Sequence, residues 1–291
     1  MSSGSEEAAS AAPPDSLAAH RALGELQIDK EGRGVAVAVV DSGVDVSHPW
    51  FAGCDVEAFA IEQKGPQFTI DRTTAGDASG HGTACAGIIL RLVPKAKLVS
   101  VRALGADGRG SRDALVTALR FCVREGYAVV NLSLGIDVPK AAPLKPTDYR
   151  SVLDLYEIAD EAFTKRVMFV AAGPNVASLR TYPGRAKSLI GVGRGSFADP
   201  ERVETNLTAD YEILAPGNDV VAPALGGGER KWTGTSFACP HIAGHVARII
   251  AGKPSRTPSE VRWVLHQLAS ITSAAQAPPS TARSPTEVPT T

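Results

Sequence analysis

The sequence predicts an α/β domain in which helices cover both faces of a mostly parallel β-sheet. Short apolar runs alternate with longer segments of helical periodicity across residues 35–270, the pattern expected when crossover helices join strands. The run Val35–Val40 is apolar on both faces, as is typical of a central strand buried from both sides. Hydrophobic residues make up 44% of the 291 residues, enough for a sizeable core.

Glycines, helix caps and polar segments set the boundaries of the predicted elements. Gly32 and Gly34 interrupt the chain before the first strand, and Ser111 is placed to cap a helix that ends near Glu125. The polar segment 63–78 is predicted to be a loop. The predicted strands are residues 35–40, 55–61, 97–104, 128–134, 166–172, 188–193, 212–215 and 219–222. The predicted helices are residues 17–26, the segment after His81, 111–125, 149–165, 242–251 and 258–269.

The two ends of the chain differ from the middle in composition. Residues 1–16 are predicted to be a disordered N-terminal arm and residues 271–291 a disordered Ser/Thr/Pro-rich tail, which leaves 17–270 as the folded domain. The arm lacks a basic region and an apolar core, so it does not have the composition of a secretory signal. No apolar run approaches the ~20 residues that span a bilayer. We therefore expect a cytoplasmic protein with no membrane segment, although a chain trimmed of its leader would have the same composition.

Charge and cysteine content exclude several classes of protein. The chain has 30 basic and 31 acidic residues, and this balance does not suggest a nucleic-acid partner. The four cysteines are scattered without metal-ligand spacing, and we expect reduced thiols rather than disulfides. The sequence has no Walker loop and no GxGxxG motif. We therefore expect neither a metal nor a cofactor.

Three polar residues lie at predicted strand ends or helix starts, each near glycine: Asp41, His81 and Ser236. A serine hydroxyl is a poor nucleophile until a base removes its proton, imidazole is the natural base near neutral pH, and a carboxylate orients the imidazole. Each residue also has an ordinary structural interpretation. Asp41 suits a turn, His81 suits the start of a packed helix, and Ser236 suits a helix N-cap.

The blocks around these residues resemble the signature blocks of subtilisin-like serine peptidases, the subtilases. They occur in the order Asp, His, Ser, which is the order in subtilisin. The resemblance covers roughly residues 30–255 and implies a three-layer α/β/α fold with a mostly parallel, roughly seven-stranded central sheet. The matching segments are residues 39–44, 81–87 and 234–244, with 130–135 resembling the family's cleft strand and 171–173 the approach to its oxyanion asparagine.

The resemblance implies a role for each matched residue. Ser236 is expected to attack the peptide carbonyl, His81 to act as general base and then acid, and Asp41 to orient His81. The backbone N–H of Ser236 is expected to donate to the oxyanion. The expected substrate-binding residues comprise two edge segments and a pocket floor: Gly108, Arg109 and Gly110; Ser133, Leu134 and Gly135; and Thr181.

The chain departs from the family pattern at the oxyanion site. The family has an asparagine directly after Ala-Ala-Gly, but here Pro174 intervenes and Asn175 comes one residue later. Either the loop bulges so that Asn175 reaches the site, which we favour, or the oxyanion hole relies on backbone N–H groups alone.

A second departure concerns calcium. Many secreted relatives insert a calcium-binding loop after the histidine helix, whereas here residues 89–94 continue directly. Calcium needs six or more oxygen ligands, and this stretch has no side-chain carboxylate. We expect no calcium site there.

The leading functional hypothesis is a serine endopeptidase that acts as a monomer on protein or peptide substrates through an acyl-enzyme. A specialised form is an intracellular processing peptidase that trims one precursor or leader peptide. The alternative is a catalytically weak peptide-binding homologue, suggested by Pro174. A third hypothesis is an esterase or amidase, because a Ser-His-Asp set does not by itself choose between esters and amides.

Overall fold

The structure is a computed structural model, and it describes residues 24–74, 76–206 and 210–274. The strands are β1 (Ala36–Asp41), β2 (Val56–Lys64), β3 (Gln67–Arg72), β4 (Lys97–Arg102), β5 (Val129–Leu132), β6 (Ile136–Pro139), β7 (Met168–Ala172), β8 (Leu179–Tyr182), β9 (Ile190–Gly195), β10 (Glu204–Thr205), β11 (Ile213–Pro216), β12 (Val220–Pro223) and β13 (Glu229–Trp232). The α-helices are α1 (His81–Leu92), α2 (Arg112–Glu125), α3 (Pro146–Thr164), α4 (Thr235–Gly252) and α5 (Pro258–Ala274).

A nine-stranded sheet forms the centre of the fold, in the order β10-β11-β9-β7-β5-β1-β4-β2-β3. The seven strands from β11 to β2 run parallel, and the two edge strands, β10 and β3, pair antiparallel to them. This arrangement confirms the predicted α/β fold with a mostly parallel sheet. The seven parallel strands match the expected number, and the two antiparallel edge strands bring the sheet to nine. Two separate ribbons pair β12 with β13 and β6 with β8.

The sheet divides the core into two layers, and β1 shows how. Val37 and Val39 face the layer formed with α1, α4 and α5, whereas Ala38 and Val40 face the layer formed with α2 and α3. All four side chains are at most 1% exposed. Because side chains alternate along a strand, a strand covered on both faces must be apolar throughout. This burial accounts for the continuous apolar run in the sequence.

Helix boundaries follow the caps that the sequence provides. The Ser111 hydroxyl accepts from the Ala114 backbone N–H at 3.0 Å and caps α2, as predicted, and the helix ends at Gly126 with a φ of 71°. On the other side of the sheet, α4 packs closely against α1. A Cβ on Gly244 would lie 2.8 Å from Leu92 Cδ1, so glycine permits this close approach.

The structure corrects two predictions. Residues 63–78 are not all loop, because Gln67–Arg72 forms the edge strand β3, which pairs with β2 through a turn at Gly65. Phe68 and Ile70 alternate with polar residues along this strand, but the strand is short and the segment around it is polar, with an exposed Lys64–Asp71 pair, so the pattern of the whole segment indicates a loop. Residues 271–274 do not belong to a disordered tail but continue α5, where the Thr272 hydroxyl donates to the Val203 carbonyl at 2.9 Å.

Other predictions about the ends of the chain fall outside the described residues. These are the arm at residues 1–16, the tail beyond residue 274 and most of the helix predicted at 17–26. The domain limits therefore stay a prediction. None of the helices in the part of the chain that the structure describes combines the length and apolar character needed to cross a bilayer.

Candidate active site

Three elements converge on one edge of the sheet and carry the three predicted catalytic residues. Asp41 is the last residue of β1, His81 is the first residue of α1, and Ser236 is the second residue of α4. The carboxyl ends of parallel strands are where open α/β sheets bind ligands. His81 and Ser236 line the same cavity, which has a volume of about 720 Å³.

A glycine brings α1 against the end of β1. A Cβ on Gly82 would lie 2.1 Å from the Gly43 carbonyl oxygen and 3.1 Å from Asp41 Cβ. No side chain fits there, so the glycine that follows His81 permits the imidazole to reach Asp41.

Asp41 and His81 form a two-point contact. His81 Nδ1 lies 2.8 Å from Asp41 Oδ1 and 2.9 Å from Oδ2. The Ser42 backbone N–H also donates to Oδ1, at 2.8 Å. The Asp41 side chain is 1% exposed and the His81 side chain 27% exposed. A carboxylate can only accept here, so Nδ1 carries the proton and Nε2 of the neutral ring is free to accept one.

The surroundings of His81 favour its charged form. Burial lowers the pKa of the imidazole, but the Cys85 sulfur and the Asp41 carboxylate raise it, and the net pKa lies above the ordinary value of 6.5. Burial raises the pKa of the Cys85 thiol, which is therefore neutral near pH 7. The Asp41 carboxylate is thus the charge that stabilises an imidazolium at this position.

The start of α4, which carries Ser236, packs against the His81 imidazole through Phe237. Phe237 packs on His81 with ring centroids 5.2 Å apart, and the Cys85 thiol lies 3.5 Å from the Ser236 carbonyl oxygen. Gly234 precedes the helix with a φ of 151°, a conformation that favours glycine. The first N–H groups of a helix have no upstream carbonyl partners, so this end of α4 suits a developing negative charge.

The Ser236 hydroxyl faces a backbone carbonyl in this structure. It donates to the Ser133 carbonyl oxygen at 3.1 Å, and the hydrogen bonds of the described residues do not include one between Ser236 and His81. Hydrogen bonds between catalytic groups are often long or misaligned in free enzymes and tighten when substrate binds. The geometry therefore brings the three residues to one site without joining the serine to the base.

Asn175 lies directly beside the start of α4. Its Oδ1 accepts from the Thr235 backbone N–H at 2.9 Å and lies 3.3 Å from the Thr235 hydroxyl. That hydroxyl donates to the Gly173 carbonyl at 2.7 Å. The loop after β7 thus accommodates Pro174 and still holds Asn175 against the residue before Ser236. With Oδ1 used in this way, the Nδ2 group remains a donor.

The predicted edge segments both line the cavity. Residues 108–110 and 133–135 contribute to its lining, and leucine and isoleucine side chains extend it. Thr181 is on β8, where it lies against Gly135 rather than in the lining of the cavity, and it is 5% exposed. Its hydroxyl donates to Asp137 Oδ1 at 2.5 Å, and a Cβ on Gly135 would lie 2.5 Å from Thr181 Cγ2. The structure therefore groups six of the seven predicted binding residues around the cavity and places Thr181 beneath them.

One group of side chains has ligand atoms close enough together to share a metal ion. Among the described residues, the ligand atoms of Asp41, His81 and Cys85 all lie within 4.8 Å of one another. These groups do not fit a resident metal, because Nδ1 is already bonded to the carboxylate and a buried neutral thiol is a poor ligand. The expectation that no cofactor binds remains a prediction.

Sequence reasoning missed one residue of the site, Asp77. This carboxylate accepts hydrogen bonds from Ser42 and Thr83, which flank Asp41 and His81 in sequence. It also accepts from the Ser79 backbone N–H at 2.9 Å, which is the pattern of an Asx turn. An aspartate two residues before a serine in a polar loop was the only local indication, and it suggested a turn rather than a site.

Comparisons with known sequences identify the family of the chain. A sequence profile described as the Subtilase family matches residues 32–285. Subtilisin-like protease 4 of Arthroderma gypseum is 32% identical over 234 residues, which cover 76% of this chain and 53% of that protein. Subtilisin BL of Lederbergia lenta is 32% identical over 241 residues, 79% of this chain and 81% of that protein. The chain spans about half the length of the Subtilisin-like protease 4 relatives that it matches.

Solved structures share the fold. Sphericase has a TM-score of 0.66 and 24% identity over 81% of this chain and 83% of its own. The prenylagaramide maturation protease PagA has a TM-score of 0.61 and 22% identity over 84% of this chain and 85% of its own. The profile match covers most of the chain, and the sequence relatives exceed 30% identity over more than two thirds of it. The chain therefore belongs to the subtilase family of subtilisin-like serine peptidases.

Proposed function

We propose that this chain is a serine endopeptidase that hydrolyses peptide bonds through Asp41, His81 and Ser236. The observation that carries the proposal is the two-point contact between His81 Nδ1 and the buried Asp41 carboxylate, beside the cavity that Ser236 also lines. That contact fixes the ring tautomer and leaves Nε2 as the proton acceptor, which is what a general base for a serine requires.

The reaction begins with a rotation of the Ser236 hydroxyl from the Ser133 carbonyl toward His81 Nε2. As the serine oxygen bonds to the substrate carbonyl carbon, its proton passes to Nε2, and the imidazolium is stabilised by Asp41. The carbonyl oxygen becomes an oxyanion, which the Ser236 backbone N–H and Asn175 Nδ2 stabilise. The imidazolium then protonates the leaving amine, the C–N bond breaks, and water hydrolyses the acyl-enzyme through the same base.

The shape of the cavity favours a polypeptide substrate. Two backbone segments, residues 108–110 and 133–135, line it. An extended peptide can lie between them and add strand hydrogen bonds on both sides. A small ester would use little of this surface. The geometry therefore supports a peptidase over the esterase or amidase hypothesis.

Labelling with a fluorophosphonate tests the proposal. We expect the wild type to be labelled at Ser236 and to cleave a peptide library, and we expect Ser236→Ala and His81→Ala to do neither. Ser47→Ala is a matched control, because Ser47 is an exposed serine bonded only within its own turn, to Asp45. A wild type that binds peptides but is neither labelled nor active would support the alternative, a weak peptide-binding homologue.

We also propose a narrower role as a processing peptidase that trims a precursor or leader peptide. The support is a likeness in fold to a protein named a maturation protease, PagA. A cleavage profile on a peptide library distinguishes the roles, because a processing enzyme accepts few sequences and a degradative one accepts many.

We further propose that the protein is cytoplasmic and that it is a monomer. All four cysteines are free and three of them are buried, as expected in a reducing compartment. Cell fractionation and sedimentation of the purified protein test the location and the oligomeric state.

A further inference from the structure

Asp77 lies in the loop between β3 and α1, and its carboxylate accepts four hydrogen bonds. Oδ1 accepts from the Ser42 hydroxyl at 2.6 Å and from the Ser79 backbone N–H at 2.9 Å. Oδ2 accepts from the Thr83 backbone N–H at 2.7 Å and from the Thr83 hydroxyl at 2.6 Å. All four partners are donors, so both oxygens are fully used as acceptors.

Ser42 connects Asp77 to Asp41. Its hydroxyl oxygen lies 2.6 Å from Asp77 Oδ1 and 3.2 Å from Asp41 Oδ1, and it accepts from the Gly82 backbone N–H at 3.1 Å. The hydroxyl has one proton, and the shorter contact assigns it to Asp77. Ser42 therefore ties three chain segments together: the end of β1, the loop before α1 and the residue after His81.

Thr83 connects Asp77 to the first turn of α1, the helix that begins with His81. Gly80, the residue before α1, has no side chain with which to cap the helix. Asp77 supplies the cap instead by accepting from the Thr83 N–H in the first turn. The Thr83 hydroxyl in turn accepts from the Asp45 backbone N–H at 2.9 Å, so the first turn of α1 is fixed to the segment that follows β1.

We propose that Asp77 is a positioning residue of the catalytic site, whose carboxylate fixes the residues that flank Asp41 and His81 and so holds their contact in place. Asp77 bonds to none of the three proposed catalytic residues, and it acts through Ser42 and Thr83. The inference rests on the proposed peptidase function and adds Asp77 to the side chains on which that function depends.

The charge of Asp77 is maintained in the folded protein. Burial raises the pKa of this carboxyl, but the hydrogen bonds from Ser42, Thr83 and Ser79 lower it, and the net pKa is below its ordinary value. The site therefore holds a second negative charge, which the Ser42 hydroxyl separates from the Asp41 carboxylate. That charge favours the imidazolium of His81, as Asp41 does at shorter range.

The decisive variant is Asp77→Asn, which keeps the shape of the side chain but offers one acceptor oxygen to four donors. Two of those donors, the N–H groups of Ser79 and Thr83, cannot rotate away. We expect kcat per titrated active site to fall about tenfold or more, with KM changed less than about twofold. We also expect the acid limb of the kcat/KM profile to move to lower pH, because the imidazolium of His81 loses a stabilising charge.

A second measurement does not depend on turnover. In Ser236→Ala protein, the NMR resonance of the His81 Nδ1 proton, followed against pH, reports the titration of His81 directly. We expect Asp77→Asn to lower that titration midpoint. If Asp77→Asn does not fold, Ser42→Ala decides the matter. It keeps the Asp77 charge and the helix cap but removes the bond that ties Asp77 to the residue beside Asp41, so we expect the Asp41–His81 contact to loosen and the midpoint to fall, by less than in Asp77→Asn.

Asp29→Asn is the matched control, since Asp29 also accepts from two backbone N–H groups, those of Glu31 and Arg33, in a loop outside the cavity. It should cost stability without changing kcat or the acid limb. The proposal is overturned if the Asp77 variant keeps kcat within about twofold and the His81 midpoint is unchanged, since a merely structural carboxylate would lower only the melting temperature. Failure of the wild type to react with a fluorophosphonate would instead refute the peptidase function, and the NMR titration would still decide the role of Asp77.

Discussion

Ser133 and Ser236 bond to each other in both directions. The Ser236 hydroxyl donates to the Ser133 carbonyl at 3.1 Å, and the Ser133 hydroxyl donates to the Ser236 carbonyl at 2.7 Å. Asn131 Nδ2 donates to the Ser133 hydroxyl at 3.0 Å and extends the chain of bonds into the core. The end of β5 therefore holds the start of α4 and fixes the starting position of the proposed nucleophile.

Removing the hydrogen bond from the Ser133 hydroxyl to the Ser236 carbonyl should slow the reaction. We expect Ser133→Ala to lower kcat roughly three- to tenfold, because the Ser236 carbonyl loses its hydroxyl donor and keeps only the weak Cys85 thiol, so the first turn of α4 loosens. Steady-state kinetics on a chromogenic peptide measures the change. Ser47→Ala, at an exposed serine, should leave kcat as it was. An unchanged kcat in the Ser133 variant would show that the backbone contact alone positions Ser236.

Asn175 offers a test of the oxyanion assignment. We expect Asn175→Ala to cut turnover by about 10²-fold or more, the size of effect found when subtilisin loses its side-chain oxyanion donor. Asn175→Asp separates the two functions of the side chain, because it can still accept from the Thr235 N–H but has no Nδ2 donor. It should be as slow as the alanine variant. A loss of less than about threefold in Asn175→Ala would refute the assignment.

The pH dependence of activity should reflect the raised pKa of His81. Only the neutral imidazole can accept the proton of Ser236, so kcat/KM should rise with pH, with a midpoint above the ordinary value of 6.5. Asp41→Asn should lower both the midpoint and the rate, because the charge that favours the imidazolium is removed. A midpoint at or below 6.5 in the wild type would contradict this account.

The His81 imidazole should also make the free energy of unfolding depend on pH. Because the folded-state pKa of His81 lies above its unfolded value, protonated His81 stabilises the fold. That contribution is complete below about pH 6.5 and is lost as pH rises through the raised pKa. Thermal melts of Ser236→Ala protein, with and without Asp41→Asn, measure it. The two should differ most below pH 6.5 and converge at alkaline pH.

Thr181 is predicted to limit the size of the side chain that precedes the cleaved bond. Thr181→Gly removes Cγ2, which lies against Gly135, and should raise the kcat/KM of a phenylalanine substrate relative to an alanine substrate by about tenfold. Thr181→Ser keeps the hydroxyl that bonds to Asp137 but lacks Cγ2, so it should show a smaller increase in the same direction. An unchanged ratio in both variants would place the pocket floor elsewhere.

Metal removal tests the predicted absence of calcium at the end of α1. The helix ends at Leu92 and β4 begins at Lys97, so residues 93–96 make the whole connection and carry no carboxylate. We expect dialysis against a chelator to leave the melting temperature unchanged. A fall of many degrees that calcium reverses would reveal a site elsewhere in the chain.

The sequence was most informative where burial was complete. The run before Asp41 is apolar on both faces because β1 is covered on both faces, and Ser111 marks the start of α2 because a helix needs a cap. The glycine after His81 and the order of the three polar residues indicated the family. Strand β3 was missed because its two apolar residues, Phe68 and Ile70, are only partly buried and lie in a short stretch of a segment that is polar overall.

The sequence by itself determined the fold class and the family, and it predicted Asp41, His81 and Ser236 as one catalytic set, since these depend on local patterns of polarity and small residues. Only the tertiary structure decided that Asn175 reaches Thr235 despite Pro174, that Ser236 faces Ser133, and that Asp77 links the flanks of Asp41 and His81. These contacts join residues far apart in the chain through loops whose course no local pattern specifies. Their geometry arises only when the parallel strands and the starts of α1 and α4 pack at one edge of the sheet.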